Sequence, residues 1–191
     1  MKPLFFFSFI SFFQHLAPVS LTDREPPYSK LENAQSFQRN DPSPSGTISI
    51  VVDKSNYELY VYDDLGWYAT YPVVFGNNSL EDKKMEGDNN TPEGEFKIVS
   101  KRIHDKWDRF MAINYPTKES YERFNRRKSK GEVPATARIG GGIGIHGTWP
   151  HEDYQIDRYK NWTEGCISMK NTDVEHLYSY TPIGTVVTIK K

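Results

Sequence analysis

Residues 47–64 read TISIVVDKSNYELYVYDD, and no other stretch constrains the fold as much. Ile48, Ile50 and Val52 alternate with polar or smaller residues, Lys54, Ser55 and Asn56 interrupt the pattern, and Leu59 and Val61 resume it. A period of two sends successive side chains to opposite faces of a pleated strand, so the spacing predicts a β-hairpin with one face buried. A third strand follows in WYATYPVVF, where Pro72 has no N–H to give and belongs at an edge or a bulge. The aromatic share of 14 % agrees with a sheet, because broad rings pack well on a half-buried pleated surface.

Further along, EFKIVSKRI and DRFMAIN are two more strands, IGIH at 143–146 is a short one, and TVVTI at 185–189 closes the pattern. Thr117 can cap a helix running to Lys128, with Tyr121 and Phe124 as its inner face and Gly131 after its end. Arg123, Arg126, Arg127, Lys128 and Lys130 crowd the outer part of that helix and read as a solvated face. A second helix spans about 173–180. Mostly strands, one or two short helices and no βαβ alternation describe a mixed, β-rich domain. A chain of 191 residues has room for one such unit and its core. Residues 76–94 are polar and irregular, too long for a passive connection and more typical of a binding surface.

The N-terminus has a different character. Lys2 precedes an apolar run from Leu4 to Phe13, interrupted only by Ser8 and Ser11, and the run ends at Gln14, so residues 1–22 read as a secretory signal peptide. That run is about half the roughly 20 residues that a membrane-spanning helix needs, so no stable membrane insertion is expected after export to the periplasm or cell envelope. Residues 23–46, with Pro26, Pro27, Pro42 and Pro44 and no sustained period, read as a linker with one helical turn around 31–37. Residues 47–191 remain as the folded domain. Lys and Arg number 24 against 25 Asp and Glu, a net charge of -1, so no global field favours a nucleic acid partner.

Cys166 is the one cysteine in the chain, so it closes no intramolecular disulfide. An exported thiol is either buried and inert or used. Use requires a base, because few free thiols are ionised at neutral pH. The candidates are His104, His146, His151 and His176, and of these His146 ends a strand and precedes Gly147, a rigid setting for a base. His151 and His176 read as surface residues. Gly165, beside Cys166, permits a backbone that exposes N–H donors to an oxyanion. A zinc peptidase using these histidines with Asp105 or Asp153 is the competing class, although no HExxH pair is present.

Several of these motifs in order resemble the L,D-transpeptidase (YkuD) catalytic domain family. The resemblance rests on His146-Gly147, on Thr163-Glu164-Gly165-Cys166-Ile167, on TPEGEFKI at 91–98, on INYP at 113–116 and on IGTVVTI at 183–189. Two positions depart from the common pattern: Glu164 stands where many members have histidine, and Ser168 where many have arginine. The resemblance implies a β-sandwich or barrel, peptidoglycan stem peptides as substrate, and no cofactor or metal. It implies Cys166 as nucleophile, His146 as proton donor and acceptor, and Gly165 as an oxyanion residue, with Gly147, Trp149, Trp162, Thr163 and Glu164 near the substrate. The acyl group would pass to an amine of a second stem or of a wall-attached protein, or to water as in a carboxypeptidase. A wall-binding module without catalysis, using the aromatic loop at 148–161, is a further alternative.

Overall fold

In the computed structural model, residues 34–191 are described. The hairpin forms as its alternation requires. Strands β2 (Ser49–Asp53) and β3 (Glu58–Asp63) pair antiparallel with Ile50 opposite Val61 and Val52 opposite Leu59, and all four side chains are fully buried. Strand β4 (Gly66–Pro72) pairs with β3, and Pro72 occupies its last position, where a missing N–H does least harm. The short β1 (Phe37–Gln38) lies along β4 as the edge strand.

On the other side of β2 runs β9 (Val186–Lys190), in parallel. Strand β5 (Gly94–His104) then does double duty: Gly94 to Lys97 pair with β9, and the remainder pairs with β6 (Asp108–Ile113). An irregularity between Ile98 and Ser100 marks the change of partner, as expected where a strand bends out of one sheet direction into another. Next come β7 (Gly144–His146), antiparallel to β6, and β8 (Ile167–Ser168), parallel to β7. The order is β1-β4-β3-β2-β9-β5-β6-β7-β8. Val74, just past β4, exchanges both backbone hydrogen bonds with Ser168, at 2.8 and 2.9 Å, so the far end of the order returns to its beginning. The nearly closed sheet wraps a core that includes Ile50, Leu59, Phe75, Ile98, Met111, Ile145, Ile167 and Val187. The β-rich fold expected from the strand pattern is the one observed.

Three readings need correction. Helix α1 (Lys118–Ser129) is capped by Thr117 and ends at Gly131 in left-handed backbone, but its inner face is Ser120 and Phe124, while Tyr121 is 49 % exposed. Four residues make slightly more than one helical turn, so Ser120 and Phe124 share the buried face. The part of 23–46 that is described is not free chain: Phe37 and Gln38 are laddered to Thr70 and Ala69, and Phe37 is strand rather than helical turn. Nor is His176 a bare surface residue. It lies in α3 (Asn171–Tyr180), half-buried, with Nδ1 2.8 Å from the Tyr71 hydroxyl. The 148–161 loop contains a single turn, α2 (Tyr154–Asp157). Residues 1–22 lie outside the described residues, and among the described ones no helix is long and apolar enough to cross a membrane.

Candidate active site

The parallel pairing of β7 with β8 sets His146 opposite Ser168 and Ile145 opposite Ile167. Side chains two apart on a strand share a face, so Cys166, two before Ser168, falls on the face of His146, while Ile145 and Ile167 point into the core. Both side chains line a cleft of about 630 Å³.

His146 is 1 % exposed, and its Nδ1 lies 2.6 Å from the Gly147 carbonyl oxygen. A carbonyl can only accept, so Nδ1 carries the proton and Nε2 of the neutral ring keeps its lone pair. The orienting partner is therefore a backbone carbonyl. The imidazole is further held by stacking on Trp107 (centroids 4.7 Å apart, 25°) and by Phe110 (5.9 Å, 14°), with Trp162 edge-on at 5.6 Å. Burial pulls its pKa down to about 4 against the smaller opposing effect of the Gly147 carbonyl.

Cys166 sits at the end of a tight turn made by Thr163. The Thr163 hydroxyl donates to the Cys166 carbonyl at 2.8 Å and accepts from the Gly165 N–H at 3.1 Å. Gly165 has φ +122 and no space for a side chain, since a Cβ would lie 2.7 Å from the Asn90 carbonyl oxygen. The thiol points into the cleft, 3.6 Å from the Gly142 carbonyl oxygen. Burial pushes its pKa up to about 11; a backbone hydrogen bond from Gly144 and the charge of Lys83 oppose that rise, and Glu164 adds to it. At neutral pH both groups are accordingly uncharged, a thiol and an imidazole on one cleft.

Of the other residues expected near substrate, Trp149, Trp162, Thr163 and Glu164 line the cleft. Gly147 does not. It packs behind His146, giving its N–H to the Trp107 carbonyl at 3.0 Å and its carbonyl to both His146 and the Ser168 hydroxyl, and a Cβ there would meet Asn171 Oδ1 at 2.2 Å. The Thr163 hydroxyl is engaged by the turn on both sides. From the aromatic loop only Trp149 reaches the cleft; Tyr159 packs on Tyr57 instead. The four histidines do not converge, and among the described residues no group of three His, Cys, Asp or Glu side chains could hold a metal ion.

The residues that sequence reasoning missed come mainly from elsewhere. Trp107 lies between the rings of His104 and His146, and Arg102 and Phe110 line the same wall. Lys83, Glu86, Gly87 and Asn89, within the irregular 76–94 stretch, form another part of the lining. The length of that stretch was the signal; which of its side chains face the cleft was not readable. The indole N–H groups of Trp107 and Trp162 are buried at the cleft without an acceptor among the described residues.

Residues 47–189 match the model of the YkuD family, the L,D-transpeptidase catalytic domain. A Bacillus subtilis (strain 168) protein that bears an L,D-transpeptidase name, YqjB, is 27 % identical over 144 residues, which are 73 % of this chain and 69 % of that protein. Among solved structures, the helical cell shape determining protein Pgp2 from Campylobacter jejuni is similar with a TM-score of 0.53 and 22 % identity, over 84 % of this chain and 52 % of Pgp2. An L,D-transpeptidase from Mycobacterium smegmatis is similar with a TM-score of 0.52 and 14 % identity, over 77 % of this chain and 60 % of that one. The chain thus spans little more than half the length of these solved relatives, and at such identities the likeness is one of fold.

Proposed function

Because this chain belongs to the YkuD family of L,D-transpeptidase catalytic domains, we propose that it is a peptidoglycan L,D-transpeptidase that forms a thioester at Cys166. The observation that carries the reading is the pairing of β7 and β8, which shares one face between Cys166 and an imidazole whose Nε2 is left as an acceptor.

In this reading the Cys166 Sγ attacks the carbonyl carbon of the L,D bond between the third and fourth residues of a stem tetrapeptide while His146 Nε2 takes the thiol proton. With the thiol near 11 and the imidazole near 4, proton transfer accompanies attack, since a preformed ion pair is disfavoured. Of the two expected oxyanion donors, the Gly165 N–H is bonded to the Thr163 hydroxyl, which leaves the Cys166 N–H, without an acceptor among the described residues, in that role. His146 returns the proton to the departing amine, the C–N bond breaks, the terminal D-residue leaves, and the third residue stays on sulfur as a thioester. The amine of a second stem, or of a wall-attached protein, then attacks, gives its proton to His146, and the thiol is restored. Attack by water instead makes the enzyme a carboxypeptidase. Trp149, Trp162 and Glu164 would contact the stem, and the unpaired indole N–H groups offer it donors.

Such a substrate lies outside the cytoplasm, consistent with residues 1–22 acting as an export signal and 47–191 as the catalytic domain. The test is intact-protein mass after exposure to a carbapenem, in parallel with wall fragments incubated with the enzyme. Expected are an adduct on the wild type that is absent from Cys166→Ala, and new stem dimers in the digest. Only shortened monomers would assign hydrolysis. Turnover retained by folded Cys166→Ala would remove the thiol mechanism altogether, and turnover lost to a chelator but not to alkylation would favour a metallopeptidase.

A further inference from the structure

Among the described residues two lysines are almost completely buried, and they are used differently. Lys54, with its side chain 1 % exposed, directs its ammonium to three acceptors: the Glu93 carboxylate at 2.7 Å and the carbonyl oxygens of Glu81 and Thr91 at 3.1 and 3.4 Å. An ammonium has three N–H donors, so Lys54 is fully served and ties the ends of the 81–93 segment together. Lys83, 2 % exposed, has a single acceptor among the described residues, Asp88 Oδ1 at 2.8 Å. Two of its donors are left over, at a depth where an unmet donor on a charged group is costly.

Asp88 does not depend on Lys83 alone. Its two carboxylate oxygens also accept from the backbone N–H groups of Lys84, Met85 and Asn90, at 2.6, 3.0 and 3.0 Å, and these bonds with Lys83 hold its pKa below the usual carboxylate range. The aspartate fixes the lysine without saturating it. Lys83 also lines the cleft that holds Cys166 and His146, and its charge acts on the Cys166 thiol. Gly140 of the neighbouring loop packs close to it, where a side chain would begin 3.5 Å from Lys83 Cε. Ser168, meanwhile, is fully buried with its hydroxyl on the Gly147 carbonyl, so it presents no charge to a ligand. The other cation on the cleft, Arg102, is exposed and lies 5.0 Å above the Phe110 ring.

We propose that Lys83 is a specificity-determining residue that binds the free terminal carboxylate of the stem peptide, on the residue released when Cys166 is acylated. That carboxylate is one carbon removed from the scissile nitrogen, so a cation lining the same cleft as the thiol and acting on it suits that role. A charge-assisted bond to an ammonium held in place by Asp88 is favourable, and a neutral end is rejected because it leaves the two remaining N–H donors of a buried ammonium less well met. The inference rests on the transpeptidase reading and adds the means by which the site recognises a chain end.

The test compares a stem tetrapeptide ending in a free D-alanine carboxylate with the same peptide ending in D-alaninamide. It reads kcat/KM for release of the last residue, and Kd for both peptides on the Cys166→Ala protein. The wild type is expected to prefer the acid by about 10-fold to 100-fold. In Lys83→Met and Lys83→Gln that ratio falls to near one, in turnover and in binding, while Lys83→Arg retains most of it. Because the ratio is internal to each protein, partial loss of folded material does not move it, and thermal melts report folding independently. A wild-type ratio kept by Lys83→Met, a ratio near one in the wild type, or collapse of the ratio in Arg102→Gln instead would each overturn the proposal. Absence of a carbapenem adduct at Cys166 together with absence of turnover would mean that the transpeptidase reading itself had failed, whereas an adduct with an unchanged ratio in Lys83→Met counts against Lys83 alone.

Discussion

The two walls of the cleft are built by different physics. One wall is built on strand: His146 is placed by ladder hydrogen bonds between β6, β7 and β8, Cys166 follows the Thr163 turn directly before β8, and the rings stack in a continuous row from His104 through Trp107 to His146. The other wall, residues 76–93, has no helix or strand and is held by side chains that reach far along the chain. Asp88 gathers three backbone N–H groups, Lys54 ties down Glu81, Thr91 and Glu93, and Arg127 of α1 grips Asp82 and the Lys83 carbonyl. Backbone ladders fix reacting groups closely, whereas side-chain ties can be removed one at a time. Substitutions in the strand wall should therefore alter chemistry at little cost in stability, and those in the loop wall should do the reverse.

The largest effect tests the strand wall. His146→Ala is expected to lower kcat for stem peptide release by about 100-fold to 10,000-fold, the range for loss of a positioned general base, while circular dichroism shows the sheet intact. A loss below tenfold would mean that the proton goes elsewhere. The loop wall gives the converse. Asp88→Ala strands the Lys83 ammonium and three N–H groups, and urea unfolding should show a loss of about 3–5 kcal/mol. In the material that remains folded, iodoacetamide should alkylate Cys166 at a rate close to that of the wild type, because the turn's own hydrogen bonds run through Thr163, although the loop touches it where the Asn90 carbonyl packs against Gly165. A large change in that rate would show that the walls are coupled.

The difference between the walls also explains what the sequence made legible. The hairpin, β5, β6, β7 and β9 were readable because alternation is local: Ile50, Val52, Leu59 and Val61 announce their face within a dozen residues. Cys166 and His146, the proposed pair, stood out because each lies next to a glycine in a short motif. The loop wall has no such period, and its order comes from pairs such as Lys54 with Thr91 or Arg127 with Asp82, which are 37 and 45 residues apart. No local pattern encodes such a contact, so Lys83 passed unnoticed in a polar run. The same cause hid β8, two residues long and defined only by its partners β7 and Val74. The basic face of α1 was misjudged in part for this reason, because Arg123 and Arg127 turn out to hold the carbonyls of Glu93 and Lys83.

A smaller effect separates the walls by pH. Native His146 stays neutral until about pH 4, whereas in the unfolded chain it protonates near 6.5. Between these values the unfolded state binds more protons, so stability falls as pH falls from about 6.5 to about 4, and the cost approaches roughly 3 kcal/mol at the lower end. The difference in unfolding free energy between wild type and His146→Leu should shift by that amount from pH 7.5 to pH 4, in favour of the leucine variant. The alkylation rate of Cys166 should still be climbing above pH 9, toward the thiol pKa near 11, and a plateau from pH 6 would instead reveal a thiolate and imidazolium pair.

The smallest effect is expected where the two sides of the loop wall meet. Arg127 donates to the Lys83 carbonyl at 2.7 Å and to Asp82 at 2.7 Å, but both side chains are partly exposed, so solvent screening limits what the pair contributes. Arg123 still holds the Glu93 carbonyl when Arg127 is gone, and Asp82 still accepts from the Glu93 N–H. Arg127→Ala should accordingly cost about 1 kcal/mol in urea unfolding and raise KM for the stem peptide severalfold, with kcat little changed, because Lys83 keeps Asp88 but loses its backbone anchor. An equal fall in kcat would mean that α1 reaches the reacting groups through this loop, and the separation between a chemical wall and a recognition wall would then have to be abandoned.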